Sequence, residues 1–348
     1  MPVLVADQDL VGLEVLSPPG FEILRYGGRT IPESMLEVAD ALYVRSTVQL
    51  DPVSLPAGLH FVGTATIGTE HLPLDALRTR GIAVASAPGC NALAVTDYVL
   101  ATIARWAADR NRDLKGLRIG IVGYGQIGQR LAARARTLGC QVMISDPPAA
   151  ERQQCPEDQP WDQMIAAIDV LSVHVPLTTT GDWPTLGMLS PARLAAMRSG
   201  GLVVNAARGR LLATTTIMQR PDLDWALDVF PEEPNLSDSL LSAVWQISPH
   251  IAGHSLAGKW RGTQLVADAH CRHLSLPVTQ VPTEGASTQD RATWDEILSC
   301  CGLAQEDRRL REALRRVDAG PSRCEAFDRT RRAYVLRAES IRDQWLIA

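Results

Sequence analysis

No apolar run in this 348-residue chain is long enough to cross a membrane, which takes about 20 residues in a helix. No C-x-x-C pair occurs among the seven cysteines, Cys90, Cys140, Cys155, Cys271, Cys300, Cys301 and Cys324. An odd, unpatterned set reads as reduced thiols, so a cytoplasmic protein is expected. Basic charge is not in excess. The formal net charge of −5 argues against a general polyanion binder, so nucleic acid is not an expected partner. A local basic pocket remains compatible with that balance. Repeats at solenoid periods and low-complexity segments are missing too. Residues 1–7 read as a short first strand rather than a targeting peptide. What remains is ordinary for a globular protein, 46% apolar and 21% charged. The length predicts two or more domains.

The most informative run is Gly116-Leu117-Arg118-Ile119-Gly120-Ile121-Val122-Gly123-Tyr124-Gly125-Gln126-Ile127-Gly128. It reads as a buried strand, a glycine turn and a helix start. Gly123, Gly125 and Gly128 have the G-x-G-x-x-G spacing. In that motif the first glycine makes the turn and the second admits a pyrophosphate. The third lets helix and strand pack closely. The phosphates would meet the N–H groups at the helix start, around Gln126 and Ile127. Alone the motif is weak. Here a second apolar strand, 141–145, ends at Asp146, about where an acid can accept from the adenosine ribose hydroxyls. An aspartate there would repel a 2′-phosphate, so NAD rather than NADP is the expected cofactor. The plainer alternative is a βαβ unit without a ligand.

Further strands are expected at 3–6, 41–44, 60–63, 82–85, 169–174, 201–205, 223–228 and 246–248. Alternation with helical stretches implies parallel sheets. Long helices are expected near 92–105 and 255–270. The fold class is therefore α/β, with two parallel-sheet domains of Rossmann-like or flavodoxin-like type. The nucleotide domain (97–253) is inserted into a first domain (1–96, completed by 254–275). Residues 276–285 read as a linker. Beyond it lies an arginine-rich tail (286–348), with helical stretches near 307–317 and 326–345. That tail reads either as a solvated helical appendage or as a subunit contact.

Three polar residues follow later strands. Arg208 lies in Asn205-Ala206-Ala207-Arg208-Gly209, Glu233 in Phe230-Pro231-Glu232-Glu233-Pro234, and His250 in Ser248-Pro249-His250-Ile251-Ala252-Gly253. Ligands of open α/β sheets bind beyond the carboxyl ends of strands. Oxidising a 2-hydroxy acid needs a base near neutrality, a cation for the carboxylate and an acid beside the base. Histidine, arginine and glutamate supply these. Singly, each has a plainer reading, as a structural histidine or a surface charge. Spacing alone does not choose Glu233 over Glu232.

Taken together, the glycine run and the Arg208, Glu233 and His250 segments resemble the D-isomer-specific 2-hydroxyacid dehydrogenase family. The likeness covers residues 1 to about 270. Val44-Arg45-Ser46, the run from Phe61 to His71, Ala87-Pro88-Gly89-Cys90-Asn91-Ala92, Asp146-Pro147-Pro148 and Gly258-Lys259-Trp260-Arg261-Gly262-Thr263 narrow it to a branch acting on a phosphorylated acid. The resemblance implies NAD-dependent oxidation of 4-phospho-D-erythronate to 2-oxo-3-hydroxy-4-phosphobutanoate, an early step of pyridoxal 5′-phosphate synthesis. It implies that His250 is the proton acceptor, Glu233 its partner, and Arg208 the ligand of the carboxylate and C2 oxygen. Val175, Asp228 and Gly253 fall in segments that line the cofactor, and Asp146 at its ribose. Ser46 and Thr66 match substrate positions. Hydroxyls and loop N–H groups there can hold a phosphate, with Arg45 as either a further charge or a structural residue. Residues 327–334 resemble part of a dimerisation region, so a homodimer is expected. No metal is implied.

The chain departs from the pattern at three places. His254 stands where the family has Tyr, and an imidazole there can still donate to phosphate. Leu211-Leu212-Ala213 replaces a run ending in Asp, which leaves the next helix without its usual start. The tail is shorter than usual. Two other readings stay open: a dehydrogenase for another acid, such as 3-phosphoglycerate or a glyoxylate-type substrate, and an NAD-sensing interaction protein without turnover.

Overall fold

The computed structural model describes residues 1–278 and 293–339. Most of the expected linker and the end of the final expected helix lie outside the described residues. The chain divides into two compact units, Met1–Asn91 with Ser255–Ala286, and Ala92–His254 with Ser287–Ala348.

The first unit is a parallel sheet of β1 (Val3–Asp7), β2 (Glu22–Tyr26), β3 (Ala41–Val44), β4 (Phe61–Thr64) and β5 (Ala83–Ala85). Its order, β2-β1-β3-β4-β5, is the flavodoxin-like one. β3 and β4 are buried throughout, as central strands covered on both faces should be. β2 was not anticipated from the sequence. It is an edge strand, only partly buried, and Glu22 and Arg25 break its apolar pattern. The helix Leu256–His273 returns to this sheet and starts where the Ser255 hydroxyl accepts from the Gly258 N–H at 2.9 Å. It lies so close to β4 that a Cβ on Gly63 would sit 2.1 Å from Val266.

His270 on that helix is fully buried, stacked on Phe61 at 4.2 Å and bonded through Nδ1 to the Tyr43 hydroxyl at 3.0 Å. Burial, with His60 and His273 nearby, pushes its pKa down to about 3. The folded form therefore refuses a proton that the unfolded chain accepts near pH 6.5. Stability from the neutral ring is complete above that pH and declines as pH falls toward 3. The slope is about 1.4 kcal/mol per pH unit. His270→Phe should flatten the acid slope of this unit's denaturation midpoint between pH 6 and 4, and an unchanged slope would refute the assignment.

The second unit carries β6 (Arg118–Val122), β7 (Gln141–Ser145), β8 (Val170–Val173), β9 (Leu202–Asn205), β10 (Asp224–Leu227) and β11 (Gln246–Ile247). All pair in parallel, in the order β11-β10-β9-β8-β6-β7. A one-residue parallel bridge from Ile144 to Asp158 extends the row beyond β7. The helix Ala92–Asp109 is apolar nearly all round and almost wholly buried. Its whole length belongs to this unit, so the first boundary falls after Asn91 rather than at 96.

The tail is not a solvated appendage. Among the described residues its helices are Trp294–Cys300, Leu303–Arg315 and Pro321–Arg332. The last begins at Pro321 and stops at Arg332, instead of running over 326–345. Leu310, Leu314, Ala326 and Phe327 are fully buried in one core with Trp225, Leu227 and Leu240. Asp307 accepts from the Ile247 N–H at 2.8 Å, and Arg311 donates to the carbonyls of Leu241, Val244 and Trp245. These bonds close the otherwise open edge of β11. No helix among the described residues is long and apolar enough to cross a membrane.

Candidate active site

The register of the second sheet aligns its loops. Val122 pairs with Ser145 and Val173, Val173 with Asn205, Asn205 with Leu227, and Leu227 with Ile247. Gly123, Asp146, His174, Ala206, Asp228 and Ser248 each follow one of those residues. They therefore stand in one row at the carboxyl edge. The row runs over six strands, about 24 Å at the usual spacing of roughly 4.8 Å. The glycine turn and Asp146 occupy one end, and Asp228 and the His250 loop the other. Chain direction changes sides between β6 and β8, the place where such sheets bind ligands.

Each glycine of the turn has its own steric reason. Gly123 has φ +94°, and a Cβ there would meet the His174 carbonyl at 2.5 Å. A Cβ on Gly128 would lie 1.9 Å from the Gly123 carbonyl oxygen. A Cβ on Gly125 would meet nothing within 4 Å, so the space over it is open. Tight packing at two positions and open space at the second is what a pyrophosphate cradle requires. Gln126 and Ile127 begin the helix Gln126–Thr137 beside this space, where the first N–H groups of a helix lack partners within it. Asp146 ties the turn to β7. Its Oδ2 accepts from the Tyr124 N–H at 2.6 Å, and its Oδ1 caps the next helix at the Ala149 N–H, 2.9 Å away. Val175 is half-buried next to His174, whose pKa burial lowers to about 3.

At the other end, His250 Nδ1 meets Glu233 Oε1 at 2.9 Å. Glu232 points elsewhere, accepting from the Thr214 hydroxyl at 3.3 Å. The structure thus makes the choice that spacing could not. With Nδ1 bonded to a carboxylate, the neutral ring keeps its lone pair on Nε2. The His250 side chain is 41% exposed, enough to reach a substrate. Its backbone has φ +57°, in the left-handed region, and its N–H donates to the Asp228 carbonyl at 2.9 Å. A non-glycine residue held there is strained, and such residues gather at functional sites.

Asp228 is turned inward and only 1% exposed. Its carboxylate accepts from the Ser248 hydroxyl (2.5 Å) and from the N–H groups of Ile251 and Ala252 (both 2.8 Å). The Tyr98 hydroxyl meets Ser248 at 2.7 Å and extends the chain. Burial raises the Asp228 pKa, while His250 and these donors favour the anion. Gly253 and His254 continue the same loop, both half-buried. The His254 ring lies 6.2 Å from that of Tyr334.

Arg208 follows β9. Asn205 shapes its turn by accepting from the Ala207 N–H (3.1 Å) and donating to the Arg208 carbonyl (2.9 Å). The next residue must be glycine, because a Cβ on Gly209 would fall 1.9 Å from the Phe230 carbonyl oxygen. That close approach brings the Arg208 loop against the loop of Glu233. The helix Thr214–Gln219 forms without a side-chain cap, despite Leu211-Leu212-Ala213.

Ser46 and Thr66 belong to the first unit, after β3 and β4. Ser46 is exposed. The Thr66 hydroxyl meets that of Thr64 at 2.8 Å and donates to the Gly68 carbonyl at 3.1 Å. Thr64 in turn bonds His71 at 3.0 Å. Arg45 is a structural residue here, paired with buried Asp7 at 3.0 Å and Asp9 at 2.5 Å.

Residues 96–252 match the family of the D-isomer specific 2-hydroxyacid dehydrogenase, NAD binding domain. An erythronate-4-phosphate dehydrogenase of Marinobacter nauticus is 37% identical, over 97% of this chain and 92% of its own. One from Pseudomonas aeruginosa is 36% identical, over 97% and 93%. The chain belongs to the erythronate-4-phosphate dehydrogenases. These are NAD-dependent oxidoreductases, so the fold and the family agree on the cofactor expected from Asp146 and the glycine turn. A crystal structure of NAD⁺-bound 3-phosphoglycerate dehydrogenase from Entamoeba histolytica shares the fold. Its TM-score is 0.66 at 18% identity, covering 84% of this chain and all of the other.

For this erythronate-4-phosphate dehydrogenase family member, sequence reading missed Tyr98 and Ser248, which brace the Asp228 carboxylate beneath the His250 loop. Tyr98 and Ser248 are 150 residues apart, and no spacing rule joins them.

Proposed function

We propose that the protein oxidises 4-phospho-D-erythronate to 2-oxo-3-hydroxy-4-phosphobutanoate, an early step of pyridoxal 5′-phosphate synthesis. The observation that carries this reading is the His250–Glu233 pair at 2.9 Å. His250 Nε2 takes the C2 hydroxyl proton, and Glu233 holds the resulting imidazolium. Arg208 grips the carboxylate and the C2 oxygen with its planar fork. Gly123, Gly125, Gln126, Ile127 and Gly128 hold the pyrophosphate of NAD, and Asp146 its ribose. Val175 and Gly253 line the rest, and Asp228, turned inward instead of toward the cofactor, fixes the backbone of the loop that carries Gly253. NAD, when bound, supplies the acceptor for the C2 hydride. Ser46, Thr66 and His254 each carry a hydroxyl or ring N–H of the kind that holds a phosphate, the Thr66 hydroxyl by turning from the Gly68 carbonyl.

The test is turnover by purified protein with NAD, comparing 4-phospho-D-erythronate with 3-phosphoglycerate and a glyoxylate-type acid. Preference for either of the other acids would overturn the substrate assignment, and no turnover of any would favour a sensor. Thr66→Val refines it. Losing one hydrogen bond to a charged group costs about 1.5–3 kcal/mol. KM for the phosphorylated acid should rise roughly ten-fold or more, with little change for an unphosphorylated one. Equal KM values would place the phosphate elsewhere.

Cofactor choice gives a second check. NAD should bind more tightly than NADP, and Asp146→Asn, which keeps an acceptor but removes the charge, should shrink that preference about ten-fold or more. Tighter NADP binding by the wild type would defeat the ribose role.

The finer parts of this reading are a homodimer and a cytoplasmic setting. The seven free cysteines support the latter. Sedimentation equilibrium of the full chain decides the homodimer.

A further inference from the structure

We propose that Arg337 is a positioning residue for the catalytic histidine, clamping the peptide groups that follow His250 against Asp228. This inference rests on the functional reading above. The Arg337 guanidinium donates to the carbonyls of Ile251 (3.0 Å), Ala252, His254 (3.2 Å) and Ala94 (2.8 Å), and to the Tyr334 hydroxyl (3.0 Å). Asp228 takes the N–H groups of the same two residues, Ile251 and Ala252. Each of these residues therefore presents its N–H to a buried anion and its carbonyl to a buried cation. Asp228 is 1% exposed and Arg337 8%. Away from water, such charge-assisted bonds are strong and directional.

The clamp answers a local need. His250 is held at φ +57°, a conformation that a free loop leaves readily. Its ring must also keep Nδ1 on Glu233. Fixing the next two peptides from both sides fixes the ring's starting point. Only a planar, multidonor cation reaches several carbonyls in one place, so lysine is a poor substitute. The tail thereby contributes to the active site from 86 residues away in sequence.

The experiment uses the full-length protein. Arg337→Ala should lower kcat for 4-phospho-D-erythronate roughly ten- to hundred-fold, the value of about one charged hydrogen bond. KM for NAD should change less than about three-fold, because the glycine turn lies at the other end of the row. Amide exchange at Ile251 and Ala252 should speed up about ten-fold or more. Added guanidinium ion should restore much of kcat in Arg337→Ala and none in His250→Ala. If Arg337→Ala does not fold, Arg337→Lys replaces it in the kcat, KM and exchange arms, with an intermediate loss expected. Unchanged exchange overturns the clamp, and so does faster exchange with wild-type kcat, which would leave Arg337 a tail anchor alone. If the wild type does not turn over this acid, the functional reading fails. The exchange arm then decides the clamp by itself.

Discussion

His250→Ala is expected to lose turnover by roughly 10²–10⁴-fold, the usual value of a placed acid–base group, while NAD binding survives. The ring is the only part of the residue that meets Glu233, and it is exposed enough to meet a substrate. The glycine turn that would hold the cofactor stands at the opposite end of the strand row. A complication is the backbone. Alanine tolerates φ +57° poorly, so Ala would both remove the base and strain or shift the loop. Asparagine adopts that conformation more readily and carries no base. His250→Asn should therefore match His250→Ala in kcat if chemistry is the cause. Steady-state kcat and an NADH fluorescence titration, run on both variants, check this. A kcat within about ten-fold of wild type in either variant would remove His250 from the mechanism.

Arg208→Gln is expected to lower kcat/KM by about 10²–10³-fold. A bidentate guanidinium–carboxylate pair comprises two charge-assisted bonds, each worth about 1.5–3 kcal/mol. Glutamine keeps some reach but offers neither the charge nor the fork. The loop should tolerate the change. Its shape comes chiefly from Asn205 and from the tight seat of Gly209 on Phe230, and the Arg208 side chain adds one bond within the turn, from Nη1 to the Ala207 carbonyl at 2.9 Å. If Arg208 touches only the ground-state carboxylate, KM carries the loss. If it also touches the C2 oxygen as charge develops, kcat falls too. A loss below about five-fold in kcat/KM would make Arg208 a surface charge.

The sequence by itself determined what depends on neighbours in the chain. Gly123, Gly125 and Gly128 could be read from their spacing because the turn, the ligand approach and the helix contact are local requirements. The buried strands β3, β4, β6, β8 and β9 were legible because a strand covered on both faces is apolar throughout. β2 was not, because an edge strand can carry Glu22 and Arg25 at little cost. The order of the polar segments pointed to Arg208 and His250, and the resemblance to a family gave them roles.

Tertiary structure alone decided the rest. It chose Glu233 over the adjacent Glu232, because the direction of a loop side chain depends on what the loop packs against. It turned Asp228 inward to hold the His250 loop and tied Arg45 to Asp7 and Asp9. It docked the arginine-rich tail on the second sheet, where Leu310, Leu314 and Phe327 fill a core that their own short helices could not close. It also brought Arg337 to the carbonyls of Ile251 and Ala252. Such contacts leave no periodic mark in sequence, because what makes them favourable is the burial of apolar surface and the pairing of complementary polar groups between segments far apart along the chain.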